Sequence, residues 1–82
     1  MCNWKVSIGH DHNSGNIVAV CMMRMGDGTS MVVADNMSPA IETGHYPIQW
    51  THIPDLEEYN ARHLYLTIVR GAELVPNKRR WS

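Results

Sequence analysis

Histidines are the first residues of this chain that could do chemistry, and that chemistry would be metal binding. The 82-residue sequence contains five of them. His10 and His12 are two positions apart, so on a strand both imidazoles would lie on one face. His45, His52 or a cysteine could then complete a four-coordinate zinc site. Because the two cysteines are not paired at the close spacing typical of structural zinc sites, we expect no metal. A metal- or small-ligand-binding domain using these four loop histidines remains the alternative.

The sequence offers no arrangement typical of an enzyme. Ser14 lies beside His12 and Asp11, but neighbouring loop residues cannot give the geometry in which a base orients a nucleophile and is itself oriented. Residues 9–15 are glycine-flanked but match neither the P-loop nor the dinucleotide-binding pattern. We therefore expect no catalytic residue, no cofactor and no enzymatic activity.

Methionine is the most unusual feature of the composition, with six methionines and three tryptophans but no phenylalanine. Met22, Met23, Met25 and Met31 cluster around a predicted hairpin. They either fill a core or form an adaptable protein-binding surface. Because side chains alternate along a strand, one set can face a helix while the other contacts a partner. We assign Met22 and Met31, together with Trp50, to the partner-binding surface, so one face of the hairpin should stay open.

The net charge of −1 conceals an asymmetry between the body and the end of the chain. Residues 1–76 carry four basic and eight acidic groups, a net charge of −4, whereas residues 77–82 hold three basic groups. An acidic body argues against direct nucleic-acid binding, which typically uses a basic stripe. The short basic tail is either a solvated terminus or a docking segment in which Trp81 binds a partner beside Arg79 and Arg80.

The length of the chain suffices for one small domain, which we place at residues 1–76. Its longest apolar run, residues 17–23, is far shorter than the roughly 20 residues of a membrane span. Two cysteines cannot build a disulfide framework, and we expect no secretory signal, because the sequence shows no positively charged segment followed by an apolar stretch at its start. These features favour a reducing, cytoplasmic location.

The first part of the chain predicts three strands. Residues 4–8 alternate between apolar and polar, residues 17–25 form a second strand that is apolar on both faces as far as Met23, and a third strand spans residues 29–34. Asp27 and Gly28 suit a two-residue hairpin turn, because both positions require positive φ. That turn would pair Arg24 with Met31, Met23 with Val32 and Met22 with Val33.

The second part predicts two helices separated by an irregular segment. Ser38 followed by proline is typical of a helix start, and Gly44 would end this helix after one or two turns. Residues 43–53 are expected to be irregular. Asp55 and Glu58 resemble a capping box at the start of the main helix.

The end of the main helix is ambiguous in the sequence. Glu58 and Arg62 are spaced for an ion pair within a helix. Residues 64–69 could continue the helix, with Gly71 at its C-terminus, or form a fourth strand, since apolar residues cover every side of that stretch. We expect a helix through about residue 69. The predicted fold is α+β, with a small antiparallel sheet of three or four strands and one main helix packed on one face.

These features predict a small non-catalytic protein-binding module. A chain of this size without catalytic motifs is most often an adaptor, regulator or inhibitor of a larger protein, for example a nucleic-acid-binding one, and it could act as a homodimer. In its small size and its lack of catalytic motifs, it is similar to the small inhibitors that phages use against host defence systems, including anti-CRISPR proteins. No shared motif supports this likeness. An accessory protein of that kind would bind protein rather than membrane or nucleic acid.

Overall fold

The computed structural model describes residues 2–28, 30–36, 39–42 and 44–76, and its strands form one antiparallel sheet. The elements are β1 (Trp4–Asp11), β2 (Ile17–Arg24), β3 (Ser30–Asp35), α1 (Pro39–Glu42), β4 (Ile48–Leu56), α2 (Glu58–Ala72) and β5 (Val75–Pro76). The order across the sheet is β4-β1-β2-β3-β5. The α+β class is confirmed, whereas the expected three or four strands are corrected to five.

The two additional strands lie at the two edges of the sheet. β4 occupies most of the segment expected to be irregular and pairs with β1 along its length, from Leu56 opposite Trp4 to Ile48 opposite Asp11. Its Pro54 lies near a break in the register, and proline is tolerated at such irregular positions of an edge strand because no ladder bond is lost. β5 is only two residues long and pairs with the end of β3.

The hairpin between β2 and β3 forms with a register one residue different from the expected one. Met22 pairs with Val32 and Cys21 with Val33, and the register shifts again after Met22. Gly26 and Gly28 have positive φ, but Asp27 is not among the described residues that do. The prediction of a tight two-residue turn is therefore wrong, because such a turn requires positive φ at Asp27 as well. The slip places Val33 on the same face as Cys21 instead of Met22.

The main helix, α2, confirms the helical interpretation of residues 64–69 and continues to Ala72. Its start is different from the prediction. Asp55 belongs to β4 with a φ of 61°, and Glu57 at the N-cap makes no side-chain capping bond. The capping box is therefore wrong, but the predicted ion pair of Glu58 and Arg62 forms, at 3.1 Å.

The helix ends beyond the glycine that was expected to stop it. Gly71 is inside α2, and Glu73 adopts the left-handed conformation at the C-cap with a φ of 54°. The amides of Glu73 and Leu74 donate to the carbonyls of Arg70 and Val69 at 3.3 and 3.0 Å. These bonds satisfy carbonyls that the last turn of a helix leaves without partners.

α2 packs on one face of the sheet, as predicted, against β1 and β2. This face, called the helix face below, carries side chains that alternate along the strands. Its buried core consists of residues from β1, β2, β3 and α2 and of one leucine that follows α2. These residues are Trp4, Val6, Val20, Met22, Ala34, Ala61, Tyr65 and Leu74. Burial of these apolar side chains is the main source of stability for so small a chain.

The opposite face of the sheet, the second face, is also covered. Ala19, Cys21 and Val33 lie on it and are at most 8% exposed. β2 is therefore buried on both sides, and the expectation that the hairpin leaves an open methionine-lined face is corrected for this strand. The connection from β3 to β4 has to pass β2 and β1, and its Ile41 is 2% exposed. We attribute the cover of the second face to Ile41 of this connection and to Trp50, which lies over Gly9.

Within the described part of the chain, no helix combines the length and the apolar character that crossing a membrane requires.

Candidate functional site

A row of polar side chains crosses the second face where three strands are in register. Ser7 on β1 lies opposite Cys21 on β2 and opposite His52 on β4. The Ser7 hydroxyl oxygen and the Nδ1 atom of His52 are 2.7 Å apart, a hydrogen bond in which the donor depends on the histidine tautomer. A serine bonded to a histidine is the start of a nucleophile–base pair.

The surroundings of this row do not support catalysis. Ser7 is 4% exposed and Cys21 8% exposed, so neither is open to a substrate. Burial raises the pKa of the Cys21 thiol and outweighs the hydrogen bond from Ser7 that lowers it, which keeps the sulfur in its unreactive protonated form. The described hydrogen bonds give His52 no carboxylate that would orient it. The row is best explained as the buried Ser7 and Cys21 side chains finding hydrogen-bond partners in each other and in the exposed His52 ring.

A second polar contact holds the end of β1 to the segment before β4. One carboxylate oxygen of Asp11 accepts the amides of Asn13 and Ser14 at 2.8 and 3.3 Å, and the other accepts the Tyr46 hydroxyl at 2.5 Å. The Tyr46 hydroxyl, followed by the Asn13 amide, lowers the pKa of Asp11, and the same contact with Asp11 raises the pKa of Tyr46. The contact closes the turn after β1 without building a reaction site.

This contact predicts a pH effect that the variant Tyr46→Phe should remove. A carboxyl whose pKa is lowered by folding stabilises the fold above its ordinary pKa of 3.8 and loses that contribution as the pH falls through the lower folded value. In Tyr46→Phe the pKa of Asp11, followed by NMR at its carboxyl carbon, should rise toward 3.8. The stability difference from the wild type should then shrink below that pH. Tyr59→Phe is the control, because its exposed ring has no part in this contact, and an unchanged Asp11 titration in Tyr46→Phe would contradict the assignment.

The structure does not bring the four candidate histidines together. His12 and His45 are exposed on loops, His10 lies opposite Gln49 on β1, and His52 binds Ser7. Among the residues that the structure describes, no three histidine, cysteine or acidic side chains form a group that could hold a metal ion. Both cysteines are free, Cys2 exposed and Cys21 buried.

A groove of about 690 Å³ opens between the second half of α2 and the ends of β2 and β3. Ile17 and Ile68 form its apolar part, and Asn16, Asn36 and Thr67 form its polar part. None of the described residues that line it is a histidine or carries a charge. The groove therefore adds no support to a ligand site built on the histidines.

The outer side of α2 carries large side chains that the fold leaves in solvent. Tyr59 is 78% exposed and Leu66 is 41% exposed. The ring of His63 is stacked with that of Tyr59, at 6.5 Å between centroids and 13° between planes. Positions 59, 63 and 66 are spaced four and three residues apart, so they lie on one side of a helix, away from buried Ala61 and Tyr65. We call Tyr59, His63 and Leu66 the outer stripe.

The outer stripe was not predicted, although the sequence contains a signal for it. The apolar residues between 64 and 69 cover every side of the predicted helix. A single sheet can cover only one side of a helix, so a helix that is apolar all round must expose some of these residues. Assigning Ala61 and Tyr65 to the core would have left Tyr59 and Leu66 outside.

The residues predicted to bind a partner fall into three groups. Met22 is 1% exposed and fills the core, which was the alternative to a binding role. Its side chain therefore offers no surface to a partner in this fold. Trp50 is half-buried on the second face, on β4. The side chain of Met31 and the tail residues Arg79, Arg80 and Trp81 lie outside what the structure describes.

Comparisons with protein families, with curated proteins and with solved structures found no match to this chain.

Proposed function

We propose that this protein is a small non-catalytic protein-binding module whose contact surface is the outer stripe of α2. The observation that carries the proposal is the exposure of Tyr59 and Leu66, 78% and 41%, on the same side of one helix. Single exposed apolar residues are normal on a protein surface, whereas an aligned set on a rigid element is typical of an interaction site.

The residue types of the outer stripe suit binding by a helix in a groove. Tyrosine is enriched among the residues that dominate binding energy, because it buries a large rigid area and keeps a polar end. A helix that inserts into an apolar groove contacts it through residues spaced three and four apart, as Tyr59, His63 and Leu66 are. Arg70 is exposed on the same side and extends the surface by one turn.

The charges around the stripe indicate the chemistry of the partner. Asp55, Glu57 and Glu58 are exposed at the end of α2 that carries Tyr59. A partner groove with a basic rim at that end would be complementary and would associate faster. Basic surfaces of this kind are common on nucleic-acid-binding proteins. We therefore place the protein in the class of inhibitors or regulators of such proteins, and an anti-defence role of the anti-CRISPR type in phage is one member of that class.

The net charge of −4 over residues 1–76 supports action on a protein rather than on a nucleic acid, and the two free cysteines support action in the cytoplasm. In this proposal the basic tail, with Arg79, Arg80 and Trp81, and the half-buried Trp50 are secondary contacts.

The double variant Tyr59→Ala/Leu66→Ala tests the proposal. A photo-crosslinker at position 59, introduced in the cells that naturally make the protein, should capture the partner, whose affinity is then measured with purified proteins. The double variant should weaken binding at least about 30-fold, since contact residues of this type contribute about 2 kcal/mol or more. Its free energy of unfolding should fall by less than about 1 kcal/mol, because neither side chain belongs to the buried core.

Asn60→Ala/Thr67→Ala is a matched control, since its two positions have the same spacing and are displaced by one residue around the helix. It should change the affinity less than about threefold, as expected for residues beside the main contacts. Equal binding by the wild type and Tyr59→Ala/Leu66→Ala would refute the assignment of the outer stripe.

A further inference from the structure

β4 is the longer of the two edge strands in the sheet that the described residues form. It spans nine residues, and its neighbour in the sheet order is β1. The other edge of the sheet is different, because β5 covers the end of β3 there and is itself two residues long with a proline. Unpaired backbone amides and carbonyls along an edge readily accept another strand.

The part of β4 before Pro54 lacks the features that normally prevent such pairing. Residues 48–53 contain no proline, lysine, arginine, aspartate or glutamate. Proteins usually protect long edges with such residues or with a bulge. In this strand the protective features come only at its end, where Pro54 and Asp55, with its φ of 61°, follow the regular part.

We propose that two copies of this chain form a dimer by antiparallel pairing of β4 with β4, about a twofold axis at Thr51. The sheet would continue from one copy into the other. This interface is separate from the outer stripe, so the two proposals stand or fall independently.

The register follows from the faces of the sheet. Residues that oppose each other across a pair of strands share a face, so the axis has to pass through a residue and not between two residues. Trp50 and His52 both lie on the second face, opposite Gly9 and Ser7 of β1. An axis at Thr51 sets Trp50 of each copy against His52 of the other, which gives two cross-strand aromatic pairs.

The same axis brings no like charges together and puts an exposed, small residue at the centre. Thr51 would face its own copy, and Gln49 would face Ile53 of the other copy. The neutral segment favours a second copy over a charged partner. A strand pair of this length is at the small end of specific interfaces, so we expect a dissociation constant on the order of 1–100 µM.

Charge variants at the axis test the dimer without touching the core. Thr51 is exposed in the single chain, so Thr51→Lys and Thr51→Glu should fold normally. Each should be monomeric in sedimentation velocity at concentrations at least tenfold above those that dimerise the wild type, because two like charges then face each other. An equimolar mixture of the two variants should restore the dimer. Thr67→Lys and Thr67→Glu, on the exposed side of α2, are the matched controls and should dimerise like the wild type.

A disulfide tests the register directly. In a Cys2→Ser background, which removes the exposed native cysteine, Thr51→Cys should form a linked dimer under mild oxidation, since opposed residues of paired strands come close enough for a disulfide. Thr67→Cys should not. A wild type that stays monomeric up to 500 µM would overturn the proposal. So would a dimer that survives in both Thr51 charge variants, one that is lost in Tyr59→Ala/Leu66→Ala, or one that Thr51→Cys fails to link.

Discussion

Replacing Met22 by alanine is expected to lower the free energy of unfolding by about 2–5 kcal/mol, the usual cost of removing a large buried side chain. Met22 is 1% exposed and belongs to the core cluster beneath α2. It lies opposite Val6 in the β1–β2 ladder, at the centre of the sheet, where neighbouring side chains cannot easily collapse into the space. The cost combines the lost transfer of the side chain out of water with the cavity that remains.

Met25 provides the control, because the same residue type at the end of the hairpin is 36% exposed. Met25→Ala removes a contact between its sulfur and the Asp55 amide, at 3.3 Å, and should cost less than about 1 kcal/mol. Urea denaturation of both variants gives the comparison. Similar losses for the two variants would mean that Met22 is not in a packed core. That result would return it to the role of a surface residue that the sequence suggested.

Gly9→Ala is expected to destabilise the protein by about 1–3 kcal/mol, the cost of overpacking a filled site. Gly9 on β1 lies beneath side chains of β4. A Cβ atom there would be 2.8 Å from Cγ2 of Ile48 and 3.1 and 3.2 Å from two ring atoms of Trp50. At least Ile48 has to move, and with it the cover of the second face. Tryptophan fluorescence should therefore change in the folded variant as well.

Gly71→Ala should have the opposite effect. Gly71 is inside α2, and a Cβ atom there would meet nothing within 4 Å. Alanine should stabilise the helix by about 0.5–1 kcal/mol, because glycine loses more backbone freedom on folding. Thermal unfolding of the two glycine variants should move the midpoint in opposite directions. A shift in the same direction for both would contradict the packing described for Gly9 or for Gly71.

Local patterns predicted most of the elements. The alternation that begins at Trp4, the apolar run from Ile17 and the helix around Tyr65 are all present in the structure. These signals are local, because each depends on the repeat of one strand or one helix. The predicted ends of α2 were less accurate. Asp55 and Gly71 have residue types that are typical of helix termini, but Asp55 lies in β4 and Gly71 lies in the last turn of α2.

The strand β4 was missed because two prolines interrupt its pattern. Pro47 and Pro54 border or enter a stretch whose Ile48, Trp50 and Ile53 are otherwise typical of a strand. Only the position of β4 at the edge of the sheet makes Pro54 tolerable, and that position depends on long-range pairing with β1. The hairpin register was wrong for a related reason, as a bulge after Met22 depends on the partner strand as well as on the turn.

The candidate site was harder to predict than the fold. The outer stripe depends on which side of α2 faces the sheet, and this cannot be read from a helix with apolar residues all round. Ser7, Cys21 and His52 come together only because three strands align in register. Spacing along the chain contains no trace of such a row, so the sequence directed attention to His10 and His12 instead.

The position of β1 between β2 and β4 affects how the protein folds as it leaves the ribosome. The meander of β1, β2 and β3 can assemble early, because its contacts are close in sequence. The edge of β1 that pairs with β4 stays open until β4 is synthesised, and the core around Met22 stays uncovered until α2 is synthesised. A nascent chain that has emerged only as far as α1 therefore exposes both a strand edge and an apolar sheet, and slow synthesis over this stretch should favour aggregation or recruitment of a chaperone.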